Sequence, residues 1–111
     1  MAALSNLYID AGSTFSAVIT VRGSDGNPLN LTGFTVASQI RKSYGSLNAY
    51  SFNASLFDAA TGKVRIVLPA NISETIKPGR YLYDIEVTSP INEKLRVIEG
   101  IVIITPEITK I

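Results

Sequence analysis

The sequence predicts an all-β sandwich, and three observations carry that prediction. Apolar residues recur at every second position in one run after another. Clusters rich in Gly, Asn, Asp and Pro interrupt these runs at intervals of roughly 8 to 12 residues, the spacing of a sandwich or barrel. No crossover helix separates the runs, which argues against parallel α/β. A chain of 111 residues has room for one core, because each of two would be marginal. The expectation is therefore one β-sandwich domain over residues 1–111, with about seven antiparallel strands.

The opening stretch "MAALSNLYIDAG" carries Leu4, Leu7, Tyr8 and Ile9. It lacks a basic leader region and a long apolar run, so a soluble, unsecreted protein is expected. From Phe15 to Val21 apolar side chains alternate with Ser16, Thr20 and Arg22, a half-buried strand. "GSDGNP" then reverses the chain, since Pro28 donates no ladder bond and Asp25 and Gly26 accept turn dihedrals. A second run carries Phe34, Val36 and Ile40 and is broken at "KSYGS"; Tyr50, Phe52, Ala54 and Leu56 restore the period of two.

"DAATG" separates that run from "KVRIVL", where Val64, Ile66 and Leu68 share one parity, as in a tight meander. In "ANISETIK" Ile72 and Ile76 lie four apart between Pro69 and Pro78, which predicts the one short helical turn of the chain. "GRYLYDIEV" returns to alternation with Tyr81, Tyr83, Ile85 and Val87. The preceding corner, "IKPGRYLY", resembles the one at which immunoglobulin-like domains enter their penultimate strand, with Tyr81 placed to bond nearby backbone. That likeness narrows the fold to an immunoglobulin-like antiparallel β-sandwich. Tyr83 stands where antibody domains carry a Cys, and this chain has neither Cys nor Trp.

The last strand starts near Lys94 and departs from ordinary alternation after Ile98. Ile101 and Ile103 face one way, Val102 and Ile104 the other, so apolar side chains occupy both faces. Glu99-Gly100 is the expected bulge, and a bulge swaps the buried set without burying both. Either the N-terminal segment or a loop covers the second set, or a neighbouring subunit does. In "TPEITKI" Pro106 stops a central ladder while Ile108 and Ile111 leave an apolar tail that could lie on a neighbour. Residues 1–10 and 105–111 are thus candidate docking arms. Ile101, Val102, Ile103, Ile104, Ile108 and Ile111, with Leu4 and Tyr8, are the candidate interface residues.

Composition narrows the chemistry. Without Cys or His, the common zinc, iron and copper sites and the Ser-His and Cys-His nucleophile pairs are excluded. Ten Lys+Arg against nine Asp+Glu supply almost no field to gather phosphate backbones or anionic lipid, so neither nucleic acid nor membrane is an expected partner. Only 17% of residues are charged, against about 25% in a typical soluble protein. Asp84 and Glu86 share one strand face, yet no base, nucleophile or metal ligand accompanies them, and they read as a solvated face. Asp25 and Asn27 read as turn residues, and the triplets starting at Asn30, Asn53 and Asn71 as chance glycosylation matches. No catalytic residue, small-molecule substrate, cofactor or metal is expected. Arg41, Tyr44 and Tyr50 form a candidate ligand loop of the kind that stacks on sugars or bases.

Several pieces taken together resemble a family. They are the turn "DGNPLNLTG" leading into "VASQIRK", the hairpin "TGKV", the strand "PGRYLYDIE" and the ending "EGIVIITPEIT". In this order the chain looks like small virion structural proteins of tailed bacteriophages, notably contractile-tailed phages of marine cyanobacteria. Its layout is similar to the N-terminal domain of phage baseplate upper proteins, without the fused receptor-binding region. The resemblance implies a non-catalytic immunoglobulin-like module present in many copies on a particle, in capsid decoration, neck, tail or baseplate. Its partners would be other virion proteins and copies of itself, and its location the virion assembled in the host cytoplasm. The rival expectation is a carbohydrate or host-surface binding module using Arg41, Tyr44 and Tyr50.

Overall fold

The computed structural model describes residues 3–108. Its strands are β1 (Ala3–Leu4), β2 (Leu7–Asp10), β3 (Phe15–Thr20), β4 (Thr35–Arg41), β5 (Tyr50–Ser51), β6 (Asn53–Asp58), β7 (Lys63–Leu68), β8 (Gly79–Thr88) and β9 (Lys94–Thr105). They form two packed sheets. The larger has the order β1-β9-β8-β4-β5 with β2 also on β9, and the smaller has the order β3-β7-β6. The chain is an all-β sandwich of two sheets, as the alternation predicts.

All pairings are antiparallel except those of β1 and β2, which run parallel to β9. The segment expected as a free N-terminal arm is therefore, from residue 3 onward, part of the larger sheet. The reason is burial: Leu7 and Ile9 are 8% and 1% exposed and belong to the core. Their partners are Val102 and Ile104 respectively.

The alternating run from Tyr50 to Leu56 does not stay in one sheet. Tyr50 and Ser51 pair with β4, whereas residues from Asn53 onward pair with β7. Phe52 is the corner: its N–H donates to the Ser38 carbonyl at 3.0 Å, and its buried ring meets Phe15 and Tyr83 with centroids 6.0 and 6.2 Å apart. "DAATG" forms a 3₁₀ turn (Ala59–Thr61) closed by Gly62 in the left-handed region. A Cβ at Gly62 would lie 2.6 Å from the carbonyls of both Val21 and Leu29, so only glycine fits there.

The expected helical turn forms as α1 (Ala70–Ser73). Ile76, just beyond it, is buried, while Ile72 is 36% exposed. The buried residue of the turn itself is Ser73, whose Oγ donates to the Ser13 carbonyl at 2.8 Å and accepts the Gly12 N–H at 3.1 Å. That pair fastens the turn onto the loop between β2 and β3. At the predicted corner the Tyr81 hydroxyl donates to the Lys77 carbonyl at 2.5 Å.

The bulge in β9 lies at Val97 rather than at Glu99-Gly100. Ile85 pairs with Ile98 and Glu86 with Arg96, leaving Val97 unmatched. The bulge swaps parity as expected, putting Ile98, Val102 and Ile104 inside. Gly100 has a different cause: an added Cβ would lie 2.2 Å from the Ser5 carbonyl. The N-terminal chain passes close beside β9 there, between β1 and β2: Ser5 N–H donates to the Glu99 carbonyl and Ile101 N–H to Asn6 Oδ1.

Candidate functional site

The outer face of the larger sheet is built row by row from strand pairing. Side chains opposite each other on neighbouring strands share a face. Since Tyr81, Tyr83, Val102 and Ile104 point into the core, their alternates point out. One row sets Tyr8 against Ile103 and Ile103 against Arg80. The next sets Ile101 against Leu82 and Leu82 against Arg41. The third sets Leu4 against Glu99, then Asp84, then Gln39.

The first two rows are largely apolar. Tyr8 is 72% exposed and Leu4 79%, and Ile101, Ile103 and Leu82 are half-buried. The loop after β4 swings Tyr44, 78% exposed, over the same face. Leu4, Tyr44, Leu82 and Ile101 line one hollow of about 230 Å³, whose rim includes Arg96 and Glu99. The result is a continuous band of aliphatic and aromatic groups across β1, β2, β9 and β8.

Charges frame the band. Arg96 pairs with Asp84 at 3.2 Å and with Glu99 at 3.5 Å. Burial raises the Asp84 carboxyl above its usual range, and the neighbouring Glu86 charge adds to this; Arg96 and Arg41 oppose the shift without cancelling it. Asp84 and Glu99 thus belong to a charge network held by Arg96, and Glu86 acts on Asp84 as a neighbouring like charge. Among the described residues no group of three or more acidic side chains is placed to hold a metal ion.

The predicted interface residues divide by face. Ile101, Ile103, Leu4 and Tyr8 come together on the outer face. Val102 and Ile104, 0% and 2% exposed, lie in the core and cannot touch a neighbour; their assignment as contact residues is corrected, because the Val97 bulge turns the even positions inward. Ile108 is 97% exposed but stands apart beside Asp10 and Ala11. Ile111 lies outside the described residues.

The candidate ligand loop does not converge. Arg41 donates to the Ser46 carbonyl at 2.5 Å and to Gln39 Oε1 at 3.0 Å, anchoring its own loop. Tyr44 lines the hollow on the outer face, whereas Tyr50 lines another, of about 410 Å³, with Lys42 and Tyr81. The sequence reading missed Leu82. It sits on the polar-looking parity of β8, and only its place opposite Ile101 reveals its role.

Fold and face together define a class: a small two-sheet β-sandwich with an apolar outer face. No family model and no curated protein matches the chain. Among solved structures it is similar to part of an internalin-like protein of Listeria monocytogenes, at 11% identity and a TM-score of 0.44, over 96% of this chain and 28% of that one. It is also similar to part of a family 123 glycoside hydrolase from Clostridium perfringens, studied for glycolipid glycan hydrolysis, at 12% identity and a TM-score of 0.43, over 96% and 24%. The chain thus spans about a quarter of the length of each.

Proposed function

We propose that the chain is a non-enzymatic virion structural protein of a tailed bacteriophage, docking onto a multi-copy assembly through the outer face of its larger sheet. The supporting observation is the band of Tyr8, Ile103, Ile101, Leu82, Leu4 and Tyr44. Contiguous apolar surface rimmed by polar groups marks protein contacts. Burying each of the most exposed members is worth on the order of 1.5–3 kcal/mol, and many copies multiply a modest contact. The assignment to a virion rests on the resemblance of the turn, hairpin and strand motifs. The partners are other virion proteins and copies of this chain.

Incorporation into particles tests the reading. Purified particles of the encoding phage should contain the chain. A Tyr8→Asp, Ile103→Asp double variant should fold yet be lost from particles, whereas Val18→Asp, on the outer face of the smaller sheet, should be retained. Absence of the chain from particles, or undiminished incorporation of the double variant, would sink the proposal. Sugar capture on a glycan array that disappears in Tyr44→Ala would transfer the reading to a carbohydrate-binding module.

A further inference from the structure

At the opposite side of the larger sheet, β4 is an open edge over its first half. Its pairing with β5 is confined to Gln39 with Ser51 and Ile40 with Tyr50, plus the bond from Phe52 N–H to the Ser38 carbonyl. In an antiparallel strand the N–H and C=O of one residue point to the same side, and successive residues alternate. The Ser38 carbonyl points away from β8, so the Ser38 N–H and both backbone groups of Val36 do too. Among the described residues these three groups meet no hydrogen-bond partner.

Edges of this kind are commonly blunted by Lys, Pro, a bulge or a covering segment. Thr35–Ser38 carries no charge and no Pro, and its register with β8 runs without a bulge. The edge borders a groove of about 690 Å³, whose far wall includes Asn53 and Ser55 of β6 and Arg65 and Val67 of β7. Arg65 is the only charged residue lining the groove among the described residues. Among the described residues its side chain takes part in neither ion pair, and makes one hydrogen bond, from Nε to Ser16 Oγ at 3.3 Å.

We infer that this groove receives an extended, acidic peptide segment of a partner protein, which adds as a strand to the Val36–Ser38 edge and sets a carboxylate against Arg65. Unpaired backbone donors and acceptors in a row are matched by another extended backbone, and the lone cation selects the charge. The site is distinct from the Tyr8 and Ile103 face and does not depend on docking there.

A random short-peptide library selected on the whole chain provides the test. Enriched peptides should be free of Pro at their centre and carry Asp or Glu within an alternating apolar pattern. Arg65→Glu should weaken them about tenfold, and exchanging the peptide's acid for Lys should restore binding to that variant. Bound peptide should slow hydrogen exchange at the Val36 and Ser38 amides of the unmutated chain. Val36→Pro removes an edge donor without removing a bond to β8, and should abolish binding. The inference is overturned if no peptide is enriched, or if enriched peptides bind Arg65→Glu unchanged and leave exchange at Val36 and Ser38 unaltered.

Discussion

The Tyr83 hydroxyl donates to the Ser5 carbonyl at 2.6 Å, joining positions 78 apart in the chain. The phenol thus ties the N-terminal segment to the penultimate strand. Tyr83→Phe keeps the ring against Phe52 but leaves a part-buried carbonyl without its donor. The expected cost is about 1–3 kcal/mol, read as a lower urea midpoint with unchanged slope, and faster amide exchange in Leu7–Asp10.

Gly100 allows the same close approach of the N-terminal segment. With an alanine Cβ only 2.2 Å from the Ser5 carbonyl, Gly100→Ala must displace β1 and β2 or bend β9. A loss of about 1–3 kcal/mol is expected. Amide exchange should locate it in the N-terminal strands, leaving the β3-β7-β6 sheet protected; uniform loss of protection would show that the Ser5 contact is not the weak point.

Ile103 and Ile104 are neighbours in sequence with opposite fates. Ile104→Ala should cost about 2–5 kcal/mol, as a large-to-small change in a packed core does. Ile103→Ala should cost less than about 1 kcal/mol in the isolated chain while weakening association. Equal losses from the two in chemical denaturation would contradict the assigned faces.

Asp84 should behave unlike most carboxylates. Its folded-state pKa is raised, by burial first and by Glu86 second, so its contribution to stability is fully present below the unfolded value. That contribution is lost as pH rises through the folded value. Asp84→Asn should therefore flatten the pH dependence of the denaturation midpoint between the carboxylate range and neutrality. A steeper dependence in the variant would show that the Arg96 ion pair outweighs burial.

Much of the fold was legible because alternation reports burial directly. Val64, Ile66 and Leu68 declare one face of β7, and Tyr81 to Val87 one face of β8, whatever lies across from them. The corner at Phe52 was not legible. The alternation from Tyr50 to Leu56 continues unbroken across the switch between sheets, since the inward side stays inward while the hydrogen-bond partner changes. Gly100 is required by a close approach of Ser5 rather than by a bulge, and such an approach leaves no trace in local sequence. The outer band was half legible, through the doubled apolar character of residues 101 to 104, but Leu82 and Tyr44 join it only through pairing and loop position.

By itself the sequence determined the strands, their inward faces, the corner tyrosine and the surplus of apolar side chains near the end of β9, all consequences of short-range periodicity and residue chemistry. Tertiary structure alone decided that β1 and β2 run parallel to β9, that the bulge falls at Val97, and that Val102 and Ile104 are hidden while Ile101 and Ile103 join Leu4, Tyr8, Leu82 and Tyr44. Those outcomes depend on register between segments distant in the chain, and a shift of one residue exchanges the two faces of a strand.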